Sequence, residues 1–151
     1  MAELLHFEDF DVGAVIDLGV YAVTAEEIIS FAQEFDPQPF HTDVAAGQAS
    51  ILGGLAASGW HVSSMLMRML ADSWLNKTAS MGSNGVSEMK WLKPVLAGET
   101  LAGMLRIVSK RISAKRPDMG IFHCVAEARN VGGERKAEMT FVVFMRVKAA
   151  C

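Results

Sequence analysis

The chain has 151 residues and a net charge of −3. Its pI near 5.8 argues against nucleic acid as the main partner. Hydrophobic residues make up 51% of it, more apolar surface than one small core hides, so a partner subunit or an apolar ligand channel is expected to cover the excess.

Acidic residues crowd the start (Glu3, Glu8, Asp9, Asp11), where a signal peptide would need a basic end and an apolar centre, and no apolar run is long enough for a bilayer. Cytoplasmic placement without a membrane partner is the expectation. Cys124 and Cys151 stand apart and give no disulfide framework.

Residues 3–13 read as an irregular lead-in, and 14–23 (AVIDLGVYAV) as a first strand weakened at Gly19. Thr24 and Glu27 have capping-box spacing, ahead of Ile28, Phe31, Ala32 and Phe35 at helical steps, which predicts a helix over 24–35. That helix delivers the chain to Asp36.

Asp36 and His41 are five positions apart, the wrong spacing for one helix face. Pro37 and Pro39 between them each fix φ and push the preceding residue towards extended geometry. A straight path would hold the two side chains roughly 16 Å apart. They meet only if the segment bends, and a carboxylate and imidazole that meet form a possible general acid–base pair. The competing reading is a turn-capping acid and an unrelated loop histidine.

A short helical turn is expected at 42–48, capped by Thr42 with Asp43 in its first turn. Ser58 then stands as N-cap of a helix from Gly59 to about Leu75. His61, Ser64, Arg68 and Asp72 form a polar stripe on it, and the remaining, mostly apolar circumference predicts burial on most sides. The rest of the chain offers the sheet to cover it: strands near 85–92, 100–109, 121–130 and 137–148, with a charged tip at 110–120. Helices followed by hairpin-linked strands give an α+β class.

The spacing Asp36-x-x-Pro39-x-His41-x-Asp43, with Gly59 opening a helix and a later Lys93-Pro94-Val95-x-x-Gly98-Glu99, resembles the MaoC-like, R-specific enoyl-CoA hydratase family. The resemblance covers nearly the whole chain. It implies a hotdog fold, a long central helix wrapped by a curved antiparallel sheet, with residues 1–151 as a single domain. It also implies hydration of the α,β-double bond of an acyl thioester such as an acyl-CoA. His41 would be the base that activates water and Asp36 the acid that protonates Cα. The family has Asn before the motif proline where this chain has Gln38, a departure expected to affect loop packing and substrate fit.

Gly59 is read as the donor to the thioester oxygen, since N–H groups at a helix start lack partners and sit at the positive end of the dipole. Ser58 is placed beside it as substrate-binding. Simple helix–loop packing is the plainer reading of Gly59. No cofactor is expected. His41-x-Asp43 lacks the further ligands a metal site needs.

His61 is read as a core or interface histidine, His6 and His123 as structural, and Cys124 as a small buried residue. Lys110, Arg111, Lys115 and Arg116 read as a solvated hairpin tip. The ten methionines read as core filling. A homodimer or higher homo-oligomer is expected. Two rival functions remain on the same architecture: acyl-CoA thioesterase, and a non-catalytic acyl-thioester binder.

Overall fold

The structure is a computed structural model that describes residues 2–149, so Cys151 lies outside the described residues. After a single 3-10 turn at Phe7–Asp9, β1 (Val15–Ala22) carries a register shift between Asp17 and Gly19, at the glycine where weakening was expected. The helix α1 (Ala25–Phe35) begins where Thr24 accepts the Glu27 N–H at 3.2 Å. Only half of the expected capping box forms, because the Glu27 carboxylate accepts from the Tyr21 hydroxyl instead.

Two short helices, α2 (Pro39–Thr42) and α3 (Val44–Ala49), replace the single turn expected at 42–48. Pro39 occupies the first helical position, where its missing N–H costs nothing. Asp43, not Thr42, is the cap of α3, accepting the Ala46 N–H at 2.9 Å.

The central helix α4 runs over Gly59–Ser73. The strands that follow are β2 (Ser80–Gly82), β3 (Val86–Trp91), β4 (Thr100–Ile112), β5 (Met119–Arg129) and β6 (Arg135–Arg146). All pairings are antiparallel, in the order β1-β4-β5-β6-β2, and β3 also pairs with β6. At three residues, β2 is too short to show periodicity in the sequence. Because β4 continues to Ile112, Lys110 and Arg111 lie within a strand rather than on the tip, and Lys110 donates to the Phe10 carbonyl at 2.8 Å.

This is the α+β hotdog arrangement, with α4 packed against the sheet. Leu66 and Leu70 of α4 are buried with Leu101, Leu105, Phe122 and Met145 of the strands. At Gly103 an added Cβ would stand 2.6 Å from the Met69 methyl, so glycine lets the helix settle onto β4. The burial of α4 differs from expectation. His61 of its polar stripe is buried, whereas Trp60 and Met67 are exposed, so one side of the helix stays open. Among the described residues no helix is long and apolar enough to cross a membrane.

Candidate active site

Asp36 sits at the C-terminal end of α1, its N–H still bonded to the Ala32 carbonyl at 2.8 Å. From there the chain doubles back: the Gln38 N–H bonds the Asp36 carbonyl at 2.8 Å, and the His41 N–H bonds the Gln38 carbonyl at 2.9 Å. The brace is therefore an extended residue at Gln38 followed by a proline-started helical turn, not a bend of extended chain throughout. It brings Asp36 Oδ2 to 3.4 Å from His41 Nε2.

The other ring nitrogen of His41 lies 2.6 Å from the carbonyl oxygen of Ala56. A carbonyl only accepts, so Nδ1 carries a proton, and in the neutral ring the Nε2 lone pair faces Asp36. Gln38 Nε2 donates to Asp36 Oδ1 at 2.6 Å, occupying one carboxylate oxygen and leaving the other to the histidine. Thus Gln38, the residue that departs from the family pattern, directly orients the acid.

Burial pushes the Asp36 carboxyl up, but the Ser58 hydroxyl, the Gln38 amide and the positive charge that His41 carries when protonated together outweigh it and hold Asp36 below the usual carboxylate range. Asp36 is then an anion near neutral pH. Ser58 occupies the N-cap position of α4, yet its side chain caps nothing. Its buried hydroxyl lacks a hydrogen bond of ordinary geometry and sits close enough to Asp36 for its dipole to favour the charged form.

The first backbone bond of α4 runs from the Val62 N–H to the Ser58 carbonyl, so the N–H groups of Gly59, Trp60 and His61 precede the helical ladder. Asp36, His41 and Gly59 line one cleft of ≈ 570 Å³, whose walls include Phe40, Trp60 and Trp91. Ser58 does not line it. A Cβ at Gly59 would meet the Trp91 ring at 2.5 Å, so the close approach that this glycine permits is taken by an indole. Trp91 is held there by its N–H to Ser63 Oγ at 3.1 Å and by edge contact with Trp60, at 5.2 Å between centroids.

Trp91, Gln38 and Lys136 also line this cleft, and neither Trp91 nor Lys136 carried a local signal in the sequence. Both depend on strand register. His61 lies elsewhere: it stacks on Phe31 at 4.6 Å, faces Glu27 at 3.7 Å, and lines a separate groove of ≈ 360 Å³. Asp72 pairs with Arg68 at 2.6 Å on the exposed side of α4, so the helix presents no carboxylate to the cleft from that position. Burial pushes the Cys124 thiol up to about 12, which leaves it an inert core group.

The profile of the MaoC like domain matches residues 12–123. The chain belongs to this family. Among solved structures, the MaoC-like protein is similar to a MaoC-like dehydratase from Rhodospirillum rubrum, with 36% identity, a TM-score of 0.88, and coverage of 97% of this chain and 99% of the other. It is also similar to a monoamine oxidase regulatory protein from Archaeoglobus fulgius, at 26% identity, a TM-score of 0.86 and 99% coverage of each chain. An (R)-hydratase from A. caviae involved in PHA biosynthesis shares the fold, with a TM-score of 0.73, 20% identity and coverage of 90% and 97%.

Proposed function

We propose that this MaoC-like chain, acting as one domain, is an (R)-specific enoyl-CoA hydratase, and in reverse a 3-hydroxyacyl-CoA dehydratase. The observation that carries the reading is the convergence of Asp36 and His41 at 3.4 Å on a cleft that also receives the start of α4. The (R) configuration rests on the family resemblance and on the (R)-hydratase name of a similar structure, and the coenzyme A thioester on the family resemblance alone.

In this mechanism a water is gripped between His41 Nε2 and Asp36 Oδ2. His41 takes its proton as the hydroxide adds to Cβ of the enoyl thioester. Charge moves to the thioester oxygen, where the Gly59 N–H receives it, and preorganised donors of this kind contribute ~3–4 kcal/mol. Asp36, an anion at the outset, receives the proton from His41 and delivers it to Cα. One water has then been added, and both side chains are back in their starting states.

The apolar walls of the cleft suit an acyl chain. What supports a homodimer is the second edge of β3, which has no strand partner among the described residues and carries exposed Val86 and Trp91, continued by Leu92. Such an edge is normally covered.

Incubation with crotonyl-CoA, following loss of the conjugated double bond and release of free thiol separately, tests the reaction class, and chiral analysis of the 3-hydroxyacyl product tests the configuration. Thiol release without hydration would establish a thioesterase instead. Stabilisation by enoyl-CoAs without turnover would establish a binder.

A further inference from the structure

Lys136 is the one buried lysine or arginine among the described residues. Its ammonium donates to the Pro94 carbonyl at 2.9 Å and pairs with Glu99 Oε1 at 3.1 Å. The other Glu99 oxygen accepts the Leu96 N–H at 2.8 Å, closing the turn between Pro94 and Glu99 on itself. The Lys136 carbonyl accepts from Leu92 at 2.9 Å, so one residue of β6 ties both ends of the 92–99 loop.

That loop is the bed on which residues 55–57 lie. The Ala57 N–H bonds the Val95 carbonyl at 2.8 Å, the Ala97 N–H bonds the Leu55 carbonyl at 3.0 Å, and Ala56 forms a bridge with Leu96. Ala56 in turn accepts the Nδ1 proton of His41. Hydrogen bonds joined by single steps of backbone therefore link the buried Lys136, paired with a half-buried Glu99, to the imidazole, and the same three residues lead straight into the start of α4.

Burying a charge to make an ion pair is a poor device for stability, because apolar residues of similar volume do as well or better. It is a good device for fixing position, since charged partners hold only when distance and direction are both met. We propose that Lys136 and Glu99 form a clamp that sets where the Ala56 carbonyl stands, and through it the tautomer and aim of His41. Lys136 is thus a positioning residue. The proposal deepens the hydratase reading and rests on it for its kinetic arm alone.

The test is the double variant Lys136→Met/Glu99→Gln. It removes both charges while the glutamine oxygen still accepts from Leu96, and Glu99→Gln alone serves as a milder second variant. Two readouts are needed. The ¹⁵N shifts of the His41 ring report the tautomer without reference to activity. In the wild type the Nδ1–H form should dominate, and in the variants the Nε2–H form should appear. With crotonyl-CoA, kcat should fall roughly 10–100-fold in the double variant while KM stays within about threefold, as expected for a base misplaced by a fraction of an ångström to about 1 Å. Arg135→Met, which breaks the adjacent exposed pair with Glu138, should leave both readouts at wild-type values. A cooperatively folded double variant with an unchanged tautomer and unchanged kcat would overturn the clamp. If the wild type itself hydrates nothing, the functional reading falls, and the tautomer measurement still decides the clamp.

Discussion

Two imidazoles in this molecule are buried beside carboxylates at nearly the same distance, 3.4 Å for His41 and Asp36 and 3.7 Å for His61 and Glu27. Their surroundings give them opposite prospects. His41 has its second nitrogen bonded to a backbone carbonyl, which fixes its tautomer, and its pair opens onto a cleft shared with free helix N–H groups. The Nδ1 of His61 is buried with no partner, the ring is stacked flat on Phe31, and Glu27 is already engaged by the Tyr21 hydroxyl. Proximity of an acid to a histidine is therefore weak evidence of chemistry. The anchoring of the far nitrogen, and what lies across the cavity, separate the two.

The sharpest way to break the comparison is to remove each pair in turn. Asp36→Asn and His41→Ala should each lower kcat/KM for crotonyl-CoA by about 10²–10⁴-fold, the range for loss of a general acid or base. Removal of His61 by His61→Gln should change it by no more than about threefold. Equal losses in the two sets, measured as initial rates on proteins with matched far-ultraviolet circular dichroism, would erase the distinction drawn between them.

A smaller effect is expected at Ser58. Its hydroxyl is one of the groups that lower the Asp36 carboxyl, so Ser58→Ala should let that carboxyl rise and move the acidic limb of the kcat/KM profile to higher pH. A limb that stays put or moves down would count against the contact.

The smallest effect concerns stability. Burial holds the His61 imidazole below its ordinary value of 6.5, against the opposing pull of Glu27. The unfolded chain then binds a proton before the folded one does. The contribution of His61 is fully present above about pH 6.5 and is lost as pH falls through the lower folded value. Urea denaturation at steps from pH 8 to 5 should show this slope in the wild type and a shallower one in His61→Gln. Parallel slopes would show that His61 protonates alike in both states.

Much of this site could be read from the residues themselves. The interrupted spacing of Asp36, Pro37, Pro39 and His41 announced a forced encounter, and the apolar run after Gly59 announced the helix it faces. What escaped was register-dependent. Lys136 lies one position out of step with the buried face of Met139, Phe141 and Val143, and nothing local marks it as turned inward. The arrival of Trp91 over Gly59 is a contact between residues 32 positions apart, fixed by how β3 hangs on β6. Likewise the half-formed capping box at Thr24 reflects competition: Tyr21 bids for the Glu27 carboxylate from a neighbouring strand, which helical spacing alone does not reveal.

Trp91 belongs to two boundaries at once. It ends a strand whose outer edge has no strand partner among the described residues, and its ring roofs the glycine that opens the central helix. If a second copy docks along that strand, as proposed for the homodimer, it will press on the roof, and self-assembly and turnover will share one equilibrium. Specific activity would then decline on dilution, and a lysine placed at Val86 would mimic that decline at any concentration.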